Sequence, residues 1–343
     1  MTDTNGIRNA SDILRGFTPP RPPYQTNTAS TILASGETDR ASGPATVDIS
    51  SAVRRWQAAA MRILIGSESD DVLNGASKSQ VEAGAGDDKI RVWSDSKVLA
   101  GDGNDTVRSW SDSNVDGGDG DDTVDVWSGS TVSGGDGNDS VRAWSESNVD
   151  GGAGNDVLEV WSDSRVDGGA GNDTIRAWSN TQVSGGDGDD VIDAWAESHV
   201  DGGAGNDNIY AWSDSYVSGG EGDDVIQVHS GSVASGGKGD DIVSLGPEAT
   251  ATFALGDGKD TLGVSVAGTL EFGEGFSADK MNVAYRDGSV VLSFEGNATD
   301  QITVKSGGPG LTVVFADGTR QLIEWEGRNN ISISSVNSAY LQN

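Results

Sequence analysis

The chain has 343 residues, 50 of them Gly, and its 54 Asp and Glu against 22 Lys and Arg give a formal charge of −32. A surface this acidic repels nucleic acid and anionic membranes and attracts cations. With no Cys and only 2 His, a disulfide framework and thiolate sites are excluded, and little remains for a His-built zinc or catalytic centre. Hydrophobic content is 34%, below the ~45–50% of an ordinary globular domain. Such a chain is either disordered or a repeat protein that buries little per residue and is held by something else. No apolar run reaches the ~18 residues of a membrane-spanning helix. Met1–Pro20 shows no apolar core of a secretory signal, so the expectation is a cytosolic chain or one exported by a signal at its other end.

Residues 1–50 are rich in Ser, Thr and Pro without periodicity and read as a flexible N-terminal arm. Residues 51–66 read as a short cap helix, Ser51–Met61, followed by an entry strand. Val53, Trp56, Ala60 and Ile63 fall at helical spacing after Ser50 and Ser51, which are N-cap candidates.

From residue 67 to 262 the sequence repeats. Gly-x-Gly-(Asn/Asp)-Asp starts at Gly84 and recurs every 17 residues to Gly237, ten copies in all, with Ser67–Asp71 as a degenerate eleventh in the same phase. Gly256-Asp257-Gly258-Lys259-Asp260 is a last, displaced copy. Trp recurs in phase at Trp93, Trp110, Trp127, Trp144, Trp161, Trp178, Trp195 and Trp212, with His229 in the ninth slot. A 17-residue unit cannot bury a core alone but stacked units can, so the expected fold is all-β: a parallel β-roll or β-solenoid of about 11 coils. In Thr123-Val124-Asp125-Val126-Trp127, Val124 and Val126 share the inner face and Trp127 shares the parity of Asp125. Arg108, Asp125, Arg142, Glu159, Arg176 and Asp193 alternate in sign from coil to coil, as neighbours about 4.8 Å apart prefer. A charged column faces water, which places the Trp ladder outside or at the corner, while a turn that switched the parity would instead put the rings inside a thicker core. Residues 263–343 alternate as strands around the turns Asp287-Gly288 and Asp317-Gly318, and read as a C-terminal β domain.

The Gly-x-Gly-Asn/Asp-Asp edge carries the chemistry. Glycine permits the tight corners, while Asp and main-chain carbonyls are the hard oxygen ligands that Ca²⁺ takes six to eight at a time. The last Asp never varies: Asp88, Asp105, Asp122, Asp139, Asp156, Asp173, Asp190, Asp207, Asp224 and Asp241. The residue before it is Asp87, Asn104, Asp121, Asn138, Asn155, Asn172, Asp189, Asn206, Asp223 or Asp240. A turn alone would accept Asn at both places. These residues, with the carbonyls of Gly101, Gly118, Gly135, Gly152, Gly169, Gly186, Gly203 and Gly220, are the candidate metal ligands, at about one Ca²⁺ per coil. A further carboxylate appears reciprocally, as Asp150, Asp167 or Asp201 beside Ala153, Ala170 or Ala204, and as Asp136, Asp187 or Glu221 beside Ser133, Ser184 or Ser218. Asp116 with Asp119 has both and Ser235 with Lys238 has neither, so the charge per coil is roughly fixed, as one divalent ion per coil would require.

Gly117-Gly118-Asp119-Gly120-Asp121-Asp122-Thr123-Val124-Asp125 resembles the nonapeptide Gly-Gly-x-Gly-x-Asp-x-hydrophobic-x of the RTX (repeats-in-toxin) calcium-binding proteins, and the resemblance covers residues 67–262. It implies a β-roll with Ca²⁺ between successive turns. Val126–Ser133 lacks the motif, which implies ions along one edge only. Asp279-Lys280-Met281, Asp300-Gln301-Ile302-Thr303-Val304 and Phe315-Ala316-Asp317-Gly318-Thr319 resemble the domain that follows such repeats in haemolysin-type proteins. That family implies a bacterial protein secreted to the extracellular space by type I export machinery, without a cleaved signal peptide.

Only residues 1–66 precede the roll, His-Glu-x-x-His and Gly-x-Ser-x-Gly are missing, and both His lie inside the array, so no enzyme is expected. The expected function is a secreted calcium-binding RTX repeat protein that folds on binding Ca²⁺ outside the cell. It would act non-enzymatically in binding or adhesion, with a cell-surface or polysaccharide ligand as partner and no nucleic acid. Ser51–Ile65 is the sole candidate for contact with a bilayer and is short, so stable membrane insertion is not expected. A small exported effector or membrane-active RTX toxin is the alternative.

Overall fold

A computed structural model of the chain describes residues 62–265, 267–306, 310–325 and 331–335. The arm and the cap helix expected over 51–61 lie outside them. The described residues form an all-β parallel solenoid of about 12 turns. Each coil contributes one strand to each of two facing sheets. In one coil these are Thr123–Ser128 and Thr131–Asp136. Sheets of fifteen and sixteen strands result. Pairing is parallel and in register at one repeat, with Val124 beside Val141 and Val132 beside Val149.

The core lies between the sheets and is thin. Val124 and Val126 face Val132, and all three are buried. Their columns continue through Val141, Leu158, Ile175, Ile192 and Ile209 on one sheet and Val149, Val166 and Val183 on the other. Two apolar side chains from one strand and one from the other fill each coil, and the remaining inward position, Gly134, has no side chain and lies against the carboxylate of Asp139.

Trp127 has the outward parity its sequence position dictates. The eight rings stack with centroids 4.3–6.4 Å apart, and His229 continues the column 4.8 Å from Trp212. Most are half-buried, each covered by its neighbours rather than by the core. Beside them Arg108, Asp125, Arg142, Glu159, Arg176 and Asp193 form a continuous ladder of ion pairs at 3.1–3.9 Å. Pairs this exposed contribute little each and mainly fix coil register.

The array runs further than its 17-residue phase. Ile242 pairs with Thr261, so that coil has two extra residues, and Asp260 stacks on Asp241. The displaced motif is therefore in place in space. The segment expected as a separate C-terminal β domain extends both sheets. Asn297–Ser306 pairs in parallel with Lys259–Val264, and Gly310–Phe315 with Gly268–Phe272. Antiparallel strands then finish each sheet. Hairpins need no long crossover, and Phe253, Phe272, Phe276, Phe294 and Phe315 pack together to fill the core at this end.

Trp161→Ala removes two stacking contacts and some half-buried area, so the calcium-loaded protein should lose about 1–2 kcal/mol in a denaturant titration. Acrylamide should quench the Trp fluorescence strongly. Protected fluorescence with a loss of roughly 3–5 kcal/mol, the cost of a core cavity, would contradict the outer placement.

Candidate metal centre

Each coil turns at Gly-x-Gly-Asn/Asp-Asp by a backbone that only glycine follows easily. Gly135 and Gly137 have φ of 120° and 138°. A Cβ on Gly135 would also collide with the Gly118 carbonyl of the coil before. This close stacking brings the two acidic columns to opposite sides of the turn.

The outer column, for instance Asp121 and Asn138, is exposed. Each side chain accepts through Oδ1 from the main-chain N–H of its counterpart in the next coil. Asn138 donates to Asp121 at 2.8 Å and Asn155 to Asn138 at 2.8 Å. Asn and Asp do this equally well, which accounts for their interchange. All ten outer candidates occupy this position, and their Oδ1 atoms are engaged in the brackets between coils.

The inner column points the other way. Asp139 is 1% exposed, and its Oδ1 accepts from the N–H of Asp122, one coil back, at 2.8 Å. The bond recurs between every consecutive pair from Asp88 to Asp241, at 2.7–2.8 Å. An Asn could make it too. What Asn could not supply is the second oxygen. Oδ2 of Asp88, Asp105, Asp122, Asp139, Asp156, Asp173, Asp190, Asp207, Asp224 and Asp241 is buried without a hydrogen-bond partner. An uncompensated buried carboxylate is costly, and here it is stacked once per coil.

Burial accordingly pushes these groups up. Loss of solvation lifts Asp122, Asp190 and Asp224 to about 7 and Asp105, Asp139, Asp173 and Asp241 to about 6, against the hydrogen bond from the preceding coil, which lowers them. Neighbouring carboxylates add to the rise in every one of these. A rise from 3.8 to about 7 corresponds to about 4 kcal/mol for one group at neutral pH. That is a large part of the ~5–15 kcal/mol that holds an ordinary domain.

The surroundings of Oδ2 suit a hard cation. Gly117 presents bare backbone to the Asp122 carboxylate, and a Cβ there would collide with Asp122 Oδ2 and with the carbonyl oxygen of Gly134 in the next coil. Carboxylate and carbonyl thus converge on one notch. The turn carbonyls of Gly120, Gly137, Gly154, Gly171, Gly188 and Gly205 accept no main-chain hydrogen bond. Among the described residues no three acidic or His side chains cluster as a metal group. The oxygens on offer are one buried carboxylate per coil and main-chain carbonyls from adjacent coils, a donor set that fits Ca²⁺. Gly101, Gly118, Gly135, Gly152, Gly169, Gly186, Gly203 and Gly220 all hold positive φ, between 104° and 120°, and form the close-stacked wall of this edge.

Of the reciprocal carboxylates, Asp150, Asp201, Asp136, Asp187 and Glu221 are exposed. Asp150 is raised by desolvation and by Asp167 beside it in the next coil, and Asp150, Asp167 and Asp201 in turn raise the inner Asp156, Asp173 and Asp207.

The opposite edge is built from hydroxyls. Ser96, Ser113, Ser130, Ser147, Ser164, Thr181, Ser198, Ser215 and Ser232 are buried. Ser130 Oγ accepts from the N–H of Ser113 at 3.3 Å and donates to the Ser128 carbonyl at 3.2 Å. This column escapes a reading of the sequence, since Ser in a turn carries no special expectation. Its unbroken 17-residue period was the available signal. Among the described residues every orphaned carboxylate oxygen lies on the Gly-x-Gly edge.

Against known proteins, a family model described as the RTX calcium-binding nonapeptide repeat matches four copies, at residues 130–158, 147–163, 198–215 and 212–232. Over residues 130–163 and 198–232 the array therefore carries repeats of the RTX calcium-binding type. A hyperactive, Ca²⁺-dependent, β-helical antifreeze protein from an Antarctic bacterium is 22% identical, over 64% of this chain and 86% of that one, with a TM-score of 0.42. The extracellular lipase LipA of Serratia marcescens is 19% identical over 48% and 37% of the two chains, with a TM-score of 0.24. No curated protein matches the sequence.

The raised carboxylates give a pH prediction whose sign is definite. The folded values lie above the unfolded 3.8, so the cation-free solenoid binds more protons than the unfolded chain. Its stability is fully present below about pH 4 and is lost as pH rises through 6–7. In EDTA, the strand signal in far-UV circular dichroism should grow as pH falls from 7 to 4. A signal that is constant, or falls with acid, would contradict the buried carboxylates.

Proposed function

We propose that the inner Asp column and the turn carbonyls hold about one Ca²⁺ per coil, and that the protein is secreted and folds on meeting calcium outside the cell. The observation that carries this reading is the buried, unpartnered Oδ2 repeated in ten coils. A cell interior poor in calcium would keep the chain unfolded and fit for export, in line with the family's type I route. The candidate ligands are the inner Asp residues, with the outer Asn and Asp bracing the turn around them.

We read the folded solenoid as a non-enzymatic binding or adhesion module. His199 stacks on Tyr216 and His229 on Trp212, so both His serve aromatic columns. The Trp rings cover one another's faces, which leaves only edges for a ligand. The outer face of the sixteen-stranded sheet is more suitable. There Arg165, Gln182, His199 and Tyr216 line shallow grooves, and Tyr216 is exposed. Hydrogen-bonding groups beside an exposed ring suit a polysaccharide.

Retention on immobilised polysaccharides should require calcium, and Tyr216→Ala should weaken it by about 2- to 13-fold, the loss of one aromatic contact of ~0.5–1.5 kcal/mol. Dye-loaded vesicles with and without calcium test the alternative. Intact vesicles support the binding module, and calcium-dependent leakage would replace it with a membrane-active role.

A further inference from the structure

The inner column is not uniform. From Gly117 to Gly236, every 17 residues, the position facing the carboxylate is glycine, and in each of these eight coils a Cβ would collide with the Oδ2 of the coil's own inner Asp. The two coils before them carry Ala83 and Ala100 in the same column, by the pairing of Val98 with Val81 and Val115. Both methyls are fully buried. They take the column position at which glycine leaves the notch open in the eight later coils. One coil earlier the carboxylate is satisfied by the protein itself. Asp71 Oδ2 accepts from the Ser67 N–H at 2.7 Å and from the Ser67 hydroxyl at 2.8 Å.

The structure assigns two kinds of coil to this solenoid: we infer that calcium occupies the eight glycine-lined notches, from Asp122 to Asp241, and that the methyl groups of Ala83 and Ala100 keep it out of the first two. The inference rests on the reading that the inner Asp column binds calcium, and it refines which coils do so. Its physical basis is steric. A Cβ occupies the space on which carboxylate and carbonyl oxygens converge, and moving it would require the strand Ser79–Ala85 or Lys97–Asp102 to shift out of a register that both sheets share. The consequence is polarity. The N-terminal coils close without an ion and form a fixed end against which the calcium-dependent coils stack, each touching only its neighbours.

The test is a count of bound calcium on the full chain by equilibrium dialysis and elemental analysis, with circular dichroism on the same samples. The wild type should hold eight ions per chain. Ala83→Gly with Ala100→Gly should raise the count to ten, and Gly168→Ala should lower it to seven. The double glycine variant keeps the test open if Gly168→Ala fails to fold, since glycine fits every equivalent position. Ten ions in the wild type, or a double variant that stays at eight, would overturn the inference while leaving the inner column as the calcium site. A folded chain with no bound calcium would instead overturn the underlying reading.

Discussion

A stack of carboxylates held out of water is the constraint on which this molecule depends. The inner Asp residues sit one coil apart, each 0–2% exposed and each bonded through one oxygen to the coil before. The second oxygen has no partner within the protein. Like charges at that spacing and with that burial repel strongly, and a core of about three small apolar side chains per coil has little area to set against them. A divalent cation held between the carboxylates and the turn carbonyls would change the sign of the balance and turn a repulsive column into a cross-linked one.

Glycine makes that arrangement possible twice over. At Gly135 and Gly137 it supplies positive φ, so the chain can reverse within a few residues. At Gly134 it supplies absence, a bare backbone that leaves the carboxylate of Asp139 room inside the coil. The same position filled by Ala83 or Ala100 makes a coil with a more complete apolar interior and less space for an ion. Elsewhere the solenoid relies on columns that need no cation: buried Ser hydroxyls along the other edge, stacked Trp rings and alternating ion pairs outside. These fix register, while the acidic edge carries the unpartnered charge.

Much of this was legible in the sequence because a solenoid is nearly one-dimensional. A 17-residue period converts directly into columns, so the parity of Val124, Asp125 and Trp127 within one strand placed core, charge and ring correctly. The unvarying Asp122 column marked the Gly-x-Gly edge as the one that carries the chemistry. What the period could not convey was direction. Asp121 and Asp122 look alike as letters, yet one braces the turn from outside and the other is folded inward, because successive residues of a tight turn point to opposite sides. The carboxylates at Asp136 and Asp150 followed a charge count along the sequence, and their exposure could not be read from it. Where the period slipped, after Gly246, the sequence pattern ended although the sheets did not. Two extra residues between Asp241 and Asp260 are absorbed in a loop, and hairpins carry both sheets onward. The cap helix expected over 51–61 lies outside the described residues.

The most direct test of the central claim is the far-UV circular dichroism spectrum of the full chain at pH 7, recorded in EDTA and again after addition of millimolar Ca²⁺ or Mg²⁺. If the buried carboxylates require a cation, the EDTA spectrum is that of a largely unfolded chain. Calcium restores the strand signal, and magnesium, which keeps its water and demands octahedral geometry, does so poorly. A strand-rich spectrum in EDTA that calcium leaves unchanged would show that the column of Asp residues is tolerated without ions, and would contradict the account.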